Sequence, residues 1–171
     1  MKKEIRFSGF GGQGVILMGH IFGEAAVLDG KDVTLTKSYG PEARGGACST
    51  DLIISDDRVR YPQVREPDIL VSMSQSALDT YKSSLKDDGI LMIDTGLVEA
   101  PDSIGLPATN IAEEELGLKM VANIVMLGYF TAKTELVSEA SMKEAVAELV
   151  PEGTEEKNIE AFERGFEEGK E

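Results

Sequence analysis

The sequence predicts a three-layer α/β/α fold, one domain spanning residues 1–171, around a mostly parallel but mixed sheet. Three observations lead there. Short apolar runs alternate with helical patterns along the whole chain. The stretch from Glu4 to Leu28 reads as a strand (Ile5, Phe7), a glycine loop (Ser8 to Gly14) and an apolar helix (Val15 to Leu28). The length of 171 residues is enough for one sizeable core.

The remaining elements follow in order. Gly30 stops the first helix, and Asp32 to Lys37 reads as the second strand, with Val33 and Leu35 on one face. A loop runs from Ser38 to Gly46. Cys48 to Ser55 and Arg58 to Tyr61 then predict a β-hairpin turned at Asp56-Asp57, which brings antiparallel pairing into the sheet. Pro62 to Pro67 is irregular. Asp68 to Met73 is a buried strand, Ser74 to Leu85 a helix, Asp88-Gly89 a turn and Ile90 to Ile93 another buried strand. Thr95 to Pro107 is turn-rich, with a short strand at Ser103 to Leu106. Three helices close the chain: Asn123 to Glu135, buried; Ser141 to Leu149, opened by a Ser141/Glu144 capping box; and Thr154 to Lys170, amphipathic, with Ile159, Phe162 and Phe166 on one stripe.

Charge and composition narrow the function classes. Seventeen basic against 31 acidic residues give a formal net charge of −14, which disfavours nucleic acid and anionic membrane surfaces as partners. No apolar run approaches the ~20 residues needed to span a bilayer. The start, Met-Lys-Lys-Glu-Ile-Arg, runs straight into a strand, so a cytoplasmic location is expected. Cys48 is the only cysteine, so the chain alone cannot form a disulfide or ligate an iron–sulfur cluster.

The glycine loop is the first candidate site. Gly9, Gly11 and Gly14 fit G-x-G-x-x-G spacing between a strand and a helix, where backbone N–H groups and a helix N-terminus suit an anion. A tight βα connection that binds nothing has the same spacing. In an open α/β sheet, ligands lie beyond the carboxyl ends of the strands. Four loops should therefore converge: the glycine loop, Lys37 to Gly46, Ser72 to Gln75, and Asp94 to Gly96. In the second of these, Arg44 offers a planar fork to a carboxylate or phosphate, Tyr39 can stack and hydrogen-bond, and Gly45 and Gly46 allow close backbone approach. A surface pair between Arg44 and Glu42 explains Arg44 equally well.

An NAD site is disfavoured, because the second strand ends Thr36-Lys37-Ser38 with no acid for the ribose, and Asp29 and Asp32 fall at the wrong end of it. Lys37 suits a phosphate instead, as on coenzyme A or NADP. The single histidine, His20, lies within the first helix and has no nucleophile partner near a loop, so it reads as a packing or interface residue. Cys48 reads as a small buried hydrophobe. No catalytic residue and no metal site is identified. The chain reads as a cofactor-binding piece of something larger.

Phe10-Gly11-Gly12-Gln13-Gly14-Val15, together with Ser38-Tyr39-Gly40-Pro41-Glu42-Ala43-Arg44-Gly45-Gly46, resembles the gamma subunit of 2-oxoacid:ferredoxin oxidoreductases. The resemblance extends through Tyr61-Pro62, Pro67-Asp68, Met73-Ser74-Gln75, Asn123 and the Asn158-x-x-Ala161-Phe162-x-x-Gly165 pattern, and so covers nearly the full chain. It implies a subunit, without catalytic residues of its own, of an enzyme that oxidatively decarboxylates a 2-oxoacid with coenzyme A to acyl-CoA, carbon dioxide and reduced ferredoxin. It further implies that coenzyme A touches this chain, while thiamine diphosphate, magnesium and iron–sulfur clusters sit on partner subunits. The cofactor-facing residues implied are Gly11, Gly12, Gln13, Gly14, Lys37, Ser38, Tyr39, Arg44, Gly45 and Gly46, with Gln13 bonding across the subunit boundary. The loop wording is most like 2-oxoglutarate enzymes. Pyruvate and branched-chain 2-oxoacid versions stay open, as do a free-standing nucleotide- or coenzyme A-binding regulatory module and an NADP reductase domain, the last without a nicotinamide pocket in the sequence.

Overall fold

The computed structural model describes residues 1–39 and 46–171. Six strands form one sheet in the order β2-β3-β1-β4-β5-β6. They are β1 (Lys2–Phe10), β2 (Asp32–Tyr39), β3 (Ala47–Ser55), β4 (Ile69–Ser72), β5 (Ile90–Asp94) and β6 (Ile104–Leu106). β3 runs against both β2 and β1, and β1, β4, β5 and β6 are parallel, so five strands point one way.

The helices are α1 (Val15–Leu28), α2 (Gln75–Tyr81), a short α3 (Ala108–Asn110), α4 (Ala122–Thr134), α5 (Glu139–Leu149) and α6 (Glu155–Lys170). Alternation along the strands decides which side chain meets which layer. Ile5, Phe7, Leu52, Ile54, Ile69, Val71 and Met92 join the larger core with α1, α4, α5 and α6. Phe7, Phe22 and Phe130 meet edge-to-face at its centre, with ring centroids 5.2–5.9 Å apart. Leu70, Leu91 and Ile93 face the other way, toward Leu78 of α2 and Val98. The three layers match the expected class, the α2 layer being thin.

α4 and α6 approach unusually closely. A Cβ at Gly165 would overlap the Val125 carbonyl, and one at Gly128 would overlap that of Phe162. Neither position has room for a side chain, which explains two glycines inside helices where each costs about 1 kcal/mol of intrinsic propensity.

On the α2 face, Arg6 and Asp51 form a two-pronged pair, Nε to Oδ1 at 2.7 Å and Nη2 to Oδ2 at 2.8 Å. Both side chains are about nine-tenths buried. The same guanidinium donates to Ser84 Oγ and to the Val64 carbonyl and lies over the Tyr81 ring. One buried cation thus ties β1, β3, α2 and the segment after β3 together.

Several sequence expectations need correction. Arg58 to Tyr61 forms no strand; the antiparallel partners of β3 are β2 and β1. The physical reason is that β3 lies between β2 and β1, so both its hydrogen-bonding edges are occupied. The Val59 N–H instead meets the Asp32 carboxylate at 2.6 Å. The capping box also fails. α5 begins at Glu139 with Ser138 as its cap, whose hydroxyl accepts from the Ser141 N–H. The Ser141 hydroxyl is spent on Asp29, at the end of α1. The helix expected over Ser74 to Leu85 ends at Tyr81 and finishes as a 3₁₀ turn over Lys82–Ser84. β2 continues through Ser38 and Tyr39, two residues past the strand end that the sequence predicts.

Candidate functional site

The sheet register brings the strand ends that flank the four expected loops to one edge, residues 40–45 of the second loop lying outside the described residues. Phe10 pairs with Ala47, and Cys48 pairs with both Gly9 and Tyr39. The end of β1, the end of β2 and the start of β3 therefore lie side by side. Ser72 at the end of β4 pairs with Ser8, and Asp94 closes β5 at the same edge. Asp29 and Asp32 lie at the opposite edge, where Asp32 pairs with Ser55, so among the described residues no acid stands at the carboxyl end of β2 as a ribose-binding residue would.

The glycine loop is built by its own side chains. Gln13 Oε1 accepts from the Phe10 N–H at 2.6 Å, and Gln13 Nε2 donates to the Met73 carbonyl at 2.8 Å. The Gln13 N–H closes the turn onto the Phe10 carbonyl at 3.0 Å. Gly14 then caps α1 in the left-handed region, at φ 75° and ψ 26°. Its carbonyl accepts from Asn123 Nδ2, whose partner atom Oδ1 accepts from the Ile124 N–H. A Cβ at Gly14 would strike Asn123, so this residue is required twice over, by its dihedral angle and by the packing. Gly11 and Gly12 are exposed, and nothing lies within 4 Å of where their Cβ atoms would be. Among the described residues, the N–H groups of Gly11, Gly12 and Gly14 donate to no other group. The loop is an open row of backbone donors at the start of an α-helix.

Beside it lies a pocket of about 310 Å³, lined by Gly12, Gln13, Met73, Leu97, Thr109, Lys119, Met120 and Ala122. Its walls are mostly apolar, with the glycine-loop backbone and Lys119 as polar elements. Met120 is 77% exposed and Leu97 44%. Behind the wall, the fully buried Asp94 carboxylate accepts from the Gly96 N–H, the Thr109 N–H and the Thr109 hydroxyl, the last at 2.6 Å. It clamps the β5 loop to α3, and thereby sets where Leu97 and Thr109 stand.

Among the sequence-predicted residues, Gly12 and Gln13 line this pocket, and Gly11 and Gly14 belong to the same loop. Lys37, Ser38 and Tyr39 are exposed on edge strand β2, and Gly46 is half-buried just ahead of β3. Arg44 and Gly45 lie outside the described residues. Gln13, expected to reach across a subunit boundary, makes two side-chain bonds within this chain. Cys48 is buried and its thiol is pushed up by desolvation, so it is inert rather than nucleophilic. His20 is exposed on α1. Among the described residues, no cluster of three or more His, Cys, Asp or Glu could hold a metal, and no helix is long and apolar enough to cross a membrane.

The sequence reading missed Leu97, Thr109, Lys119 and Met120. They come from the turn after β5, from α3 and from a 3₁₀ turn over Lys119–Val121, segments without a hydrophobic period. A Lys-Met pair just ahead of the apolar α4 was the one available signal.

Comparison with known proteins agrees with this architecture. Residues 4–168 match the family model for pyruvate ferredoxin/flavodoxin oxidoreductase. The chain is 50% identical to the 2-oxoglutarate synthase subunit KorC of Methanocaldococcus jannaschii, over 100% of this chain and 96% of that protein. It is 36% identical to the pyruvate/ketoisovalerate oxidoreductases common subunit gamma of Thermococcus kodakarensis, over 95% of each. The solved keto/oxoacid ferredoxin oxidoreductase gamma subunit from Geobacter sulfurreducens superposes with a TM-score of 0.88 at 42% identity, covering 99% of this chain and 97% of that one. A braced glycine loop on a mixed sheet and these full-length matches lead to one assignment: the chain belongs to the pyruvate ferredoxin/flavodoxin oxidoreductase family.

Proposed function

We propose that this chain is the gamma-type subunit of a 2-oxoglutarate:ferredoxin oxidoreductase, working in the cytoplasm with the other subunits of that enzyme. The reaction is oxidative decarboxylation of 2-oxoglutarate with coenzyme A to acyl-CoA, carbon dioxide and reduced ferredoxin. The observation that carries the reading is the full-length 50% identity to a 2-oxoglutarate synthase subunit, against 36% to a gamma subunit common to the pyruvate and ketoisovalerate enzymes.

Coenzyme A fits the residues at the carboxyl edge. It carries phosphates and a long thiol arm in which short alkyl segments alternate with two amides. The free glycine-loop N–H groups, Lys119 and Lys37 supply anion-binding donors, and Met73, Leu97 and Met120 supply apolar wall. A pocket of about 310 Å³ takes only part of so long a molecule. The rest would run over Ser38 and Tyr39 or onto a neighbouring subunit. When bound, coenzyme A supplies the thiol that accepts the acyl group. This chain's residues hold and orient it and shield it from water. Iron–sulfur clusters do not fit, since one buried cysteine cannot replace four thiolates. We assign clusters, thiamine diphosphate and magnesium to the partner subunits.

The test is anaerobic capture of the tagged chain from its native cytosol. The eluate is assayed for viologen reduction with 2-oxoglutarate, pyruvate or 2-oxoisovalerate, each with and without coenzyme A. Co-purifying subunits and coenzyme A-dependent activity greatest on 2-oxoglutarate are expected. A better rate on pyruvate or 2-oxoisovalerate would overturn the substrate, and a lone inactive chain would overturn the subunit reading. For Arg44, the Ala variant should weaken coenzyme A dependence; unchanged assembly and unchanged KM for coenzyme A would remove it from the site.

A further inference from the structure

The segment between β3 and β4 carries a surface that the site above does not use. From residue 58 to residue 65 the sequence is Arg-Val-Arg-Tyr-Pro-Gln-Val-Arg: three cations and no acid, in a chain of net charge −14. Asp57 and Glu66 flank it. Arg58, Arg60 and Arg65 are all exposed, and among the described residues none of them forms an ion pair. Tyr61, between them, is 81% exposed.

This strap is fixed despite lacking secondary structure. Its Val59 N–H is held by Asp32 at 2.6 Å. The Val64 side chain is buried, and the Val64 carbonyl accepts from the buried Arg6 at 3.3 Å. Pro62 and Pro67 restrict the backbone further, and Pro67 is buried. The exposed groups are thus presented on a backbone that is already ordered, so a partner would not have to order it. Tyrosine and arginine are among the residue types enriched at the energetic centre of protein interfaces. An isolated Tyr-Pro with its ring in water and three unanswered guanidinium groups around it has that composition.

We propose that the Arg58–Arg65 strap is a docking surface for an acidic face on another subunit of the same enzyme, with Tyr61 as the anchor that the partner buries. The proposal rests on the subunit reading above. It places a second contact at the edge of the sheet opposite the glycine loop, since the strap leaves β3 where Ser55 pairs with Lys2 and Asp32. The desolvated anchor distinguishes it from a purely charge-steered encounter with the electron acceptor, which would need the arginines but not the tyrosine.

The experiment is capture of the intact complex through a tag on this chain, washed at increasing potassium chloride. Wild type is compared with Arg58→Glu/Arg60→Glu/Arg65→Glu and with Tyr61→Ala. Both variants should release the other subunits at several-fold lower salt than wild type, while each isolated chain keeps its circular dichroism and melting temperature. The lysine triple variant, which keeps the charge, should fall in between. Wild-type salt resistance in both variants would overturn the proposal. Unchanged assembly combined with a raised KM for ferredoxin and an unchanged viologen rate would overturn it too, and would give the strap to the electron acceptor. A wild-type chain that captures no subunits would instead overturn the function proposed above.

Discussion

Gln13 stands between two strands' ends: its amide donates to the Met73 carbonyl after β4 and accepts from the Phe10 N–H at the end of β1. One side chain thus ties the glycine loop to two strand ends, while Asn123 holds its far end at Gly14. Gln13→Ala loses both bonds, of which the one to Phe10 is exposed to water, and should cost about 0.5–1.5 kcal/mol of stability. Gln13→Glu keeps an acceptor for Phe10 but turns a carboxylate oxygen on the Met73 carbonyl, and should raise the KM for coenzyme A at least as much as the alanine. Urea melts of the isolated chain and coenzyme A titrations of the complex measure the two effects separately. Equal stability and affinity in all three proteins would show that the loop holds itself.

The Arg6–Asp51 pair is nearly out of water, so its two halves are not equivalent to a surface bridge. Asp51→Ala strands a buried guanidinium and should destabilise by about 3–5 kcal/mol. The double variant Arg6→Met/Asp51→Leu should recover most of that loss. Chemical denaturation of the single and double variants decides it.

The contact between α4 and α6 leaves no space for a methyl group at Gly165. Gly165→Ala improves intrinsic helix propensity by about 1 kcal/mol, yet overpacking of this kind costs about 1–3 kcal/mol. A net loss is expected, with a lower urea midpoint. A gain would mean that the two helices can part without penalty.

Acid should loosen the fold through Asp68 and Asp29. Burial pushes the Asp68 carboxyl up, but bonds from Lys86 and the Glu4 N–H outweigh it and hold the pKa below its ordinary value. Asp29 behaves alike: burial raises it, and the Ser141 and Ser138 bonds prevail. A depressed folded pKa means the stabilisation is complete above the unfolded value, about 3.9, and is lost as pH falls through the folded one. Unfolding midpoints should drop below about pH 4, and Asp68→Asn should flatten that slope. A slope unchanged in the variant would assign the acid sensitivity elsewhere.

The parts of this molecule legible from sequence are those set by local chemistry. Gly14 in front and Asp29-Gly30 behind delimit α1 to the residue, and the buried runs of β4 and β5 announce themselves by lacking polar alternation. What failed depended on partners distant in sequence. Arg58 to Tyr61 looks like a returning strand until β1 is seen to occupy that edge of β3. Ser141 looks like a cap until Asp29, more than a hundred residues away, takes its hydroxyl. The pocket was half visible, because Gly12 and Gln13 sit in a motif. Leu97 and Thr109 are positioned by the buried Asp94, whose role no local pattern reveals.

The strand order also bears on how the chain is made. Of the six strands β1 is made before the others, yet its neighbours are β3 and β4, and its register with β4 ends at Ser72. β3 can cover one edge of β1 once Ser55 has emerged, but the other edge stays open until β4 is complete at Ser72. Non-local pairing of this kind slows folding and lengthens exposure of sticky edges. Truncated nascent chains ending before β4 should be bound by holding chaperones, and those extending past β5 should be released.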